Sequence, residues 1–514
     1  MAKPFITLIS PPIVSSPDSE YYIGRKGAPP LNLAYLARAI NDINVDYDII
    51  DCLATDSQFT VDQYNLRGLG LSAKEVIARL DPRTTIVGIS AMFTNEWLLV
   101  REIAQEIKKV RPDIFIIVGG EHVTAMSTTI LKYEKCFDMC FEGEADISIR
   151  EFLLSATRNE GYLNVPGVSY RSTSGEILTN ARASRLTALD DIFPLWDKIP
   201  VEYYIQKRYS FSRIDVKSMP ILATRGCPYK CTFCSNKNMW GYRYVMRSVD
   251  SILTEMRFDI QKYGVENFDF LDLATSINKT WFKELLTTLI KELPDITWKM
   301  SVGTRSEILD EEILTLLKKS GTKQIAYAPE TGSQRLSDLI LKRVNYKNMF
   351  KSIQTALDLG LEVKVHLIIG FPEENILDFF KTLFMALRFG WLGVKGVLVF
   401  VFSPYPGSQL FEKKYNLKSM TAVQYEELLY MHAHNAAGAR VFSISQLWQF
   451  PRDQLYTFAS NIAMISAYFI GAIRHPKHWV DLYLNVKNHS PSCAFEFAVY
   501  TVLQKFRLSK KIST

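Results

Sequence analysis

The sequence predicts an α/β protein with a doubly wound parallel sheet, then a partial (β/α)6 barrel and a helical C-terminal region. Two observations support this fold class. Apolar strand-like segments alternate with segments of helical periodicity over most of the 514 residues, which is typical of parallel sheets. Three cysteines, Cys227, Cys231 and Cys234, follow one such strand closely. They therefore lie at a C-terminal strand end, where parallel folds place their ligands.

Length and composition bound the classes of function. A chain of 514 residues is expected to form about two or three domains. Its net charge of +6 is mild, and no basic run is dense enough to predict nucleic-acid binding. An odd total of seven cysteines, with no export signal at the start, favours a reducing compartment. We therefore expect a cytoplasmic protein.

The first domain is predicted over residues 1–150. Its strands and helices alternate, with Pro29 and Pro30 at the start of the first helix. The predicted strands are 5–10, 47–51, 85–90 and 114–118, and the predicted helices are 31–40, 73–80 and 98–110. In such a sheet the informative loops follow the strands, here 51–56, 90–95, 119–124 and 142–146.

The loop 119–124 carries the clearest signal of this domain. It reads Gly-Gly-Glu-His-Val-Thr, and two glycines allow a bulky ligand to approach the backbone. A GxGxxG fingerprint is missing, which disfavours a nicotinamide or flavin site. The loop equally fits a tight turn in a domain that serves only for packing, with His122 as a surface residue.

A connector is predicted over residues 151–215. A hairpin is expected around Ser174-Gly175. Beyond it lies an aromatic cluster that could line a substrate channel, although packing against the barrel is the favoured interpretation. The members of this cluster are Tyr203, Tyr204, Tyr209 and Phe211.

The barrel is predicted over residues 216–415. About six strand-and-helix units can be counted, which fits a partial barrel with its site at the C-terminal strand ends. The strand-bearing segments are 220–224, 268–272, 297–305, 324–333, 361–370 and 393–402.

The three cysteines form a CxxxCxxC pattern, with Phe233 before the last. Thiolates are soft ligands that suit iron–sulfur clusters or zinc. No fourth Cys or His lies nearby, as a closed structural zinc site would need. A zinc knuckle, or three unrelated cysteines, is the alternative interpretation.

The C-terminal region, residues 416–514, is rich in helix-forming and aromatic residues. The apolar run 459–473 is too short and too mixed to predict a membrane span. It is followed by a basic segment with Trp479, and a second apolar run covers 495–506. Such helices can lie on a membrane surface, whereas the favoured interpretation is a cap that closes the barrel.

The cysteine spacing resembles that of the radical S-adenosylmethionine (SAM) superfamily. The resemblance implies a [4Fe–4S] cluster held by the three cysteines, with one open iron that chelates SAM beside Phe233. Glu330 and Ser333 resemble the loop that holds the ribose and methionine parts of SAM, and Gly370 resembles the strand edge that recognises adenine.

Two further positions are candidates for contacts to SAM. Arg305 suits a planar carboxylate, and its alternative is an ion pair with Glu307. Asp272 stands where relatives place a polar strand-end residue near SAM or substrate, and its alternative is to cap the next helix.

The N-terminal domain resembles the Rossmann-like cobalamin-binding domain that precedes many radical SAM domains. The resemblance rests on segments 29–37, 119–124 and 140–146. A DxHxxG loop is not present at 51–56, so this loop offers cobalt no axial imidazole. We would examine Met92, Phe93 and Asn95 as the residues that face cobalt. The implied cobalamin contacts are Ser90, Met92, Gly119, Gly120, His122, Thr124 and Glu144.

Together these resemblances imply a cobalamin-dependent radical SAM enzyme. The implied reaction cleaves SAM to a 5′-deoxyadenosyl radical and methylates an unactivated carbon of a small-molecule or lipid substrate. The implied partner is an external electron donor such as flavodoxin or ferredoxin. The alternatives are a cobalamin-dependent radical cyclase without methyl transfer, and a non-catalytic corrinoid or iron–sulfur protein.

Overall fold

The structure is a computed structural model of the chain. It describes residues 4–16, 27–158, 160–210, 216–437 and 452–487, together with 493, 495–496, 499–500 and 502–503. Phe211 and half of the predicted apolar run 495–506 lie outside the described residues.

The N-terminal region forms a seven-stranded sheet in the order β10-β9-β8-β7-β6-β1-β3. The strands of this region are β1 (Phe5–Ser10), β2 (Ile13–Ser15), β3 (Asp46–Asp51), β4 (Gln58–Val61), β5 (Leu66–Leu69), β6 (Ile86–Ser90), β7 (Phe115–Gly119), β8 (Met139–Phe141), β9 (Val168–Arg171) and β10 (Ile177–Thr179). Its helices are α1 (Leu31–Asn41), α2 (Ala73–Arg79), α3 (Trp97–Val110), α4 (Glu121–Tyr133) and α5 (Ala145–Arg158).

Local sequence signals explain these elements. The strands β1, β6 and β7 are short apolar runs buried inside the sheet. Ser72 and Glu75 form a capping box that begins α2. Neighbouring strands in the order β3-β1-β6-β7-β8 pair in parallel. This arrangement confirms the doubly wound prediction.

Two features of this region were not predicted. The strands β2, β5 and β4 form a small antiparallel sheet. The predicted hairpin exists as β9 and β10, but β9 also pairs with β8. The N-terminal sheet therefore continues into the connector.

The second region contains a six-stranded sheet in the order β11-β14-β15-β16-β17-β18, with parallel neighbours throughout. The strands of this region are β11 (Ser218–Ile221), β12 (Thr224–Arg225), β13 (Val245–Met246), β14 (Asn267–Phe270), β15 (Thr297–Thr304), β16 (Thr322–Glu330), β17 (Glu362–Ile369) and β18 (Gly396–Val401). Its helices are α6 (Val201–Lys207), α7 (Asn236–Trp240), α8 (Val249–Tyr263), α9 (Lys279–Glu292), α10 (Glu311–Lys319), α11 (Gln334–Leu339), α12 (Tyr346–Asp358), α13 (Ile376–Leu392) and α14 (Gln409–Lys414). The six parallel strands confirm the predicted partial barrel.

The C-terminal helices are α15 (Ala422–Ala437), α16 (Arg452–Arg474) and α17 (Lys477–Lys487). Helix α15 lies on the N-terminal region, where His434 Nε2 is 3.0 Å from the carbonyl oxygen of Tyr64. Helix α16 packs beside α13 and the edge strand β18. These helices therefore cover the sides of both regions.

Helix α16 is longer than the predicted apolar run. It has 23 residues, and its segment Leu455–Arg474 is long and apolar enough to cross a membrane by length and composition alone. The prediction that this run is too short to span a membrane was therefore wrong, because the helix extends beyond residues 459–473 at both ends. About 39% of that segment is buried inside the protein.

Candidate functional site

The cysteine loop begins directly after β12. Gly226 has φ +89, and a Cβ there would lie 2.2 Å from the carbonyl oxygen of Arg243. Only glycine fits this turn. The loop is then fixed to the barrel, because the amide of Thr232 donates a hydrogen bond to the carbonyl of Ile340 at 3.1 Å.

The donor set fits an iron–sulfur cluster. Burial raises the pKa of Cys227 and Cys231, and it raises the pKa of Cys234 to about 12. The positive charges of Arg305 and Lys342 act in the opposite direction on Cys227 and Cys231. Thiolate ligands in this buried pocket would therefore be stabilised by the positive charge of a metal centre and of these two basic side chains. Among the described residues, no group of three or more His, Cys, Asp or Glu side chains lies close enough together to hold a single metal ion.

A buried ion pair lies beside the cysteines. Lys342 Nζ is 2.9 Å from Glu330 Oε1, and both side chains are 9% exposed. The backbone around it is strained, since Glu330, Leu341 and Arg343 all have positive φ. Such strain is concentrated at functional sites. Glu330 was predicted from the sequence, whereas Lys342 was not.

Arg305 adopts its alternative arrangement. Its Nε lies 2.8 Å from Glu307 Oε1, and its guanidinium lies 3.8 Å from the ring centre of Tyr229 in the cysteine loop. The remaining Nη1 is buried and has no hydrogen-bond partner. That free donor is available to a carboxylate.

The other three predicted barrel residues lie at strand ends. Asp272 accepts hydrogen bonds from the amides of Ala223 and Thr224, and burial raises its pKa to about 6. It does not cap the next helix, where Asn278 is the cap. Ser333 caps α11 and donates a hydrogen bond to a buried carboxylate, while the amide of Gly370 donates to Glu374 at 2.7 Å.

The N-terminal sheet presents its own ligand edge. Gly120 has φ +129, and a Cβ there would lie 2.3 Å from the carbonyl oxygen of Ala91. The hydroxyl of Ser90, at the end of the neighbouring strand, accepts a hydrogen bond of 2.7 Å from Asn32. The loop predicted over 119–124 is shorter than expected, because α4 begins at Glu121.

His122 and Thr124 therefore lie in the first turn of α4. His122 is buried, not a surface residue, and its Nδ1 is 3.0 Å from Thr94 Oγ1. Its Nε2 has no partner, and burial lowers its pKa to about 3. Thr124 donates to the carbonyl of Gly120 and accepts from the amide of Gly143. This edge thus offers a neutral imidazole with one free nitrogen, and Met92 is half-buried beside it.

Glu144 belongs to a buried ion cluster between the two regions. Arg225, two residues before Cys227, lies 3.1 Å from Glu144 and 3.1 Å from Asp146. Arg185 contacts Glu144 at 2.7 Å. The cluster fixes the strand that leads into the cysteine loop against the loop after β8.

A second contact joins the two edges. The hydroxyl of Ser235, next to Cys234, donates a hydrogen bond to the carboxylate of Glu121, next to Gly120. Asn238 in the following helix donates to the carbonyl of Gly407 at 2.8 Å. The cysteine loop and the segment that follows the glycine pair are therefore in direct contact. Arg225 and Ser235 were not predicted from the sequence, although each is within two residues of a cysteine.

Two tyrosines of the connector's aromatic cluster contact the N-terminal region through their hydroxyl groups. The hydroxyl of Tyr204 donates to Asp51 at 2.7 Å, and that of Tyr203 donates to Asp56 at 2.8 Å. Burial raises the pKa of Asp51 to about 6. These tyrosines hold the loop after β3 of the N-terminal sheet, and their helix α6 also contacts α8 of the barrel.

Two family models match the chain. The model of the radical SAM superfamily matches residues 221–386, and that of the B12 binding domain matches residues 26–153. The first match contains all three cysteines, and the second contains the glycine pair.

Curated relatives match over both regions. The chain is 27% identical over 408 residues to an uncharacterized methyltransferase of Pyrococcus horikoshii, covering 79% of this chain and 82% of that protein. It is 25% identical over 418 residues to cytidylyl-2-hydroxyethylphosphonate methyltransferase of Streptomyces wedmorensis, covering 75% and 77%. It is 25% identical over 394 residues to the anaerobic magnesium-protoporphyrin IX monomethyl ester cyclase of Rubrivivax gelatinosus, covering 75% and 66%.

Solved structures share the fold. The radical SAM methyltransferase TsrM of Kitasatospora setae, with cobalamin and a [4Fe–4S] cluster bound, matches at TM-score 0.61 and 16% identity over 80% of this chain and 74% of that one. The cobalamin-dependent radical SAM enzyme OxsB matches at TM-score 0.61 and 15% identity over 84% and 57%. Both matches include the two regions described above.

Proposed function

Since this chain belongs to the radical SAM enzymes that carry an N-terminal B12-binding domain, we propose that it transfers a methyl group from SAM, through cobalamin, to an unactivated carbon. The proposed substrate is a small molecule or a lipid. Relatives named as methyltransferases support this choice.

The hydrogen bond between Ser235 and Glu121 carries the proposal. It ties the residue after the last cysteine to the residue after the glycine pair. Methylation needs a radical generator and a methyl carrier at one substrate, and positioning of this kind supplies much of the rate enhancement of enzymes. A fold that served only for packing has no need to join these two edges.

When bound, the cluster and the corrinoid would supply electron transfer to SAM and the carriage of the methyl group. The chain's own residues would bind and orient them. We assign Cys227, Cys231 and Cys234 to the cluster. Glu330 and Lys342 are assigned to the amino and carboxylate groups of SAM, because each offers the opposite charge.

The remaining assignments concern orientation. The free Nη1 of Arg305 would add a second donor for the SAM carboxylate. The backbone around Gly370 would recognise adenine, with Phe233 and Asp272 beside the SAM pocket. On the other edge, the residues that would contact the corrinoid are Ser90, Met92, Gly119, Gly120, His122 and Thr124. Glu144 acts through its ion cluster and positions the cysteine loop.

The proposed reaction consumes two molecules of SAM for each substrate that is methylated. One SAM donates its methyl group and leaves as S-adenosylhomocysteine. A second SAM takes one hydrogen atom from the substrate and leaves as 5′-deoxyadenosine and methionine. The substrate C–H bond becomes a C–CH3 bond, and two electrons come from an external donor such as flavodoxin or ferredoxin. Thiolate ligands fit a reducing compartment such as the cytoplasm.

The test uses the reconstituted holoenzyme under anaerobic conditions with methyl-labelled SAM and a chemical reductant. Small-molecule and lipid fractions of the source cells serve as substrates. Label in a substrate-derived product, together with 5′-deoxyadenosine, is the expected result. The Cys231→Ala variant is expected to lose the visible absorbance of the cluster and both products, whereas Cys493→Ala retains them.

A radical cyclase is the second candidate, because one relative is named as a cyclase. It would form 5′-deoxyadenosine and a substrate product of altered mass without any label. That outcome would contradict methyl transfer but leave the cluster and SAM assignments intact.

A further inference from the structure

One face of helix α16 packs against the rest of the protein, and the opposite face is exposed to solvent. Its inner face carries the buried residues Tyr456, Ala463 and Ala467. A Cβ on Gly390 of α13 would lie 2.1 Å from the carbonyl oxygen of Ala467, so the two helix backbones touch. The outer face is apolar as well, yet it is exposed, with Phe458 63% and Ile473 75% exposed.

The exposed residues of α16 follow a helical repeat, so they form one stripe. Helix α17 extends this stripe, because the Trp479 ring lies 5.8 Å from the Phe469 ring. We call this surface the outer apolar face. It comprises Phe458, Ile462, Ile465, Phe469, Ile473, Trp479, Val480, Tyr483 and Leu484. A contiguous exposed set of this kind marks an interaction site on a protein surface.

Basic groups border the face at its C-terminal end. The Arg474 guanidinium lies 4.6 Å from the ring centre of Trp391, and Lys487 Nζ lies 5.8 Å from that of Tyr483. Lys477 is exposed between them. Tryptophan, tyrosine and basic side chains beside an apolar helix face are typical of proteins that lie in the headgroup layer of a membrane.

The C-terminal part of the sequence carries most of the net charge of the chain. Residues 452–514 contain eight Lys and Arg against three Asp and Glu, so they hold five of the six net positive charges. A second copy of this chain would bring two such regions together and would repel. An anionic lipid surface has the complementary sign.

The packing of α16 against α13 determines the orientation that this helix can take at a membrane. A helix that crossed the bilayer would have to leave α13 and expose Ala463, Ala467 and the contact with Gly390. A helix that lies in the plane of the surface keeps those contacts and buries only the outer face. From these observations we infer that the C-terminal region docks in-plane on an anionic phospholipid membrane through the outer apolar face.

The inference is independent of the proposed reaction, and its test uses binding alone. The holoenzyme is floated with phosphatidylcholine vesicles, with and without phosphatidylglycerol. Flotation is expected only with the anionic vesicles. The double variant Ile465→Asp/Ile473→Asp is expected to bind at least about tenfold more weakly. Lys477→Gln/Lys487→Gln is expected to lose roughly fivefold per charge.

A matched control distinguishes the loss of the outer apolar face from the general effect of two added negative charges. Val110→Asp/Phe258→Asp adds the same charge at residues that are 58% and 51% exposed elsewhere, and it should float like the unmodified protein. Each variant should keep its thermal midpoint.

Three results would overturn the inference. No flotation of the unmodified protein, with monomers in light scattering, means that the chain itself covers the face. A dimer that the Ile465→Asp/Ile473→Asp variant dissociates means that a second copy covers it. Resistance of the bound protein to alkaline extraction means that α16 crosses the bilayer.

Discussion

Arg225 binds Asp146 with both arms of its guanidinium: Nη1 and Nη2 lie 3.1 and 3.2 Å from the two carboxylate oxygens. The pair joins the strand before the cysteine loop to the N-terminal sheet, and Glu144 shares the same guanidinium at 3.1 Å. Arg225, which is 5% exposed, thus pairs with both carboxylates, and Arg185 shares Glu144 with it. This cluster sets the distance between the two ligand edges.

Replacing Arg225 with Met should therefore destabilise the protein strongly. Glu144 and Asp146 would remain buried without this partner, and breaking a buried pair costs about 3–5 kcal/mol. Urea unfolding followed by tryptophan fluorescence measures the loss. Arg225→Lys keeps the charge but not the fork, so its loss should be intermediate.

Arg158 provides the control for Arg225. Its side chain is 62% exposed and lies 4.0 Å from Glu160. An exposed pair is worth about 0–1 kcal/mol, so Arg158→Met should leave the unfolding midpoint nearly unchanged. Equal effects of Arg158→Met and Arg225→Met would show that the cluster does not hold the two regions together.

Gly120→Ala should remove corrinoid binding and lower stability. The new methyl group would meet the carbonyl oxygen of Ala91 at 2.3 Å, with φ at +129. Backbone strain and overpacking together should cost roughly 3 kcal/mol. The visible absorbance of corrinoid retained after gel filtration measures binding, and thermal unfolding measures stability.

Gly175→Ala separates the strain of a positive φ from the clash. Gly175 has φ +86, but its Cβ position has no atom within 4 Å. Its substitution should cost only about 1 kcal/mol and leave the corrinoid absorbance intact. If Gly120→Ala behaves like Gly175→Ala in both measurements, close packing at Gly120 is unimportant.

Stability should also depend on pH through Asp259. This carboxyl is fully buried and neither oxygen has a hydrogen-bond partner. Burial raises its pKa from 3.8 to about 8, so the folded state holds a proton that the unfolded state releases. The free energy of unfolding should therefore fall as pH rises from about 4 to 8, and the penalty is complete above 8.

Asp259→Asn removes this proton linkage while keeping the shape of the side chain. Relative to the unmodified protein, the variant should gain about 4 kcal/mol in free energy of unfolding between pH 5 and pH 9, since the linkage amounts to about 1.4 kcal/mol per pH unit up to a pKa of about 8. Urea midpoints at the two pH values give the comparison. A difference that is the same at both pH values would rule out titration of Asp259 as the cause.

Contacts between neighbours in sequence were predictable, and contacts across the chain were not. Buried apolar runs such as Phe5–Ser10 specify their strands, and the cysteine spacing specifies a cluster loop. By contrast, Tyr204 meets Asp51 over 153 positions. Periodicity carries no information on such a pairing, because either residue alone fits a surface loop. The strands β2, β4 and β5 are too short to show a repeat.

The ion pair between Lys342 and Glu330 illustrates the same limit at the site. Glu330 stands in a recognisable loop, but Lys342 follows α11 and reaches back only because Leu341 and Arg343 adopt positive φ. Neither residue is one that favours this conformation. The pattern of the sequence therefore predicts one half of the pair and conceals the other.

Lys342→Met should weaken SAM binding while sparing the cluster. The ammonium group is the buried cation between Glu330 and Cys231, and removing one partner of a buried charge pair costs roughly 2–5 kcal/mol, or about 30-fold or more in affinity. Equilibrium dialysis with labelled SAM measures the affinity, and visible absorbance reports the cluster. Lys342→Arg keeps the charge and should retain part of the binding.

Lys351→Met is the matched control for Lys342, because Lys351 is exposed on α12. It should bind SAM like the unmodified protein. Glu330→Gln should weaken SAM to a similar extent as Lys342→Met if the two side chains hold opposite ends of the amino-acid part. Unchanged affinity in Lys342→Met, with the cluster intact, would instead place the SAM carboxylate on Arg305, whose Nη1 is a free donor beside the cysteine loop. Arg305→Met would then show the loss.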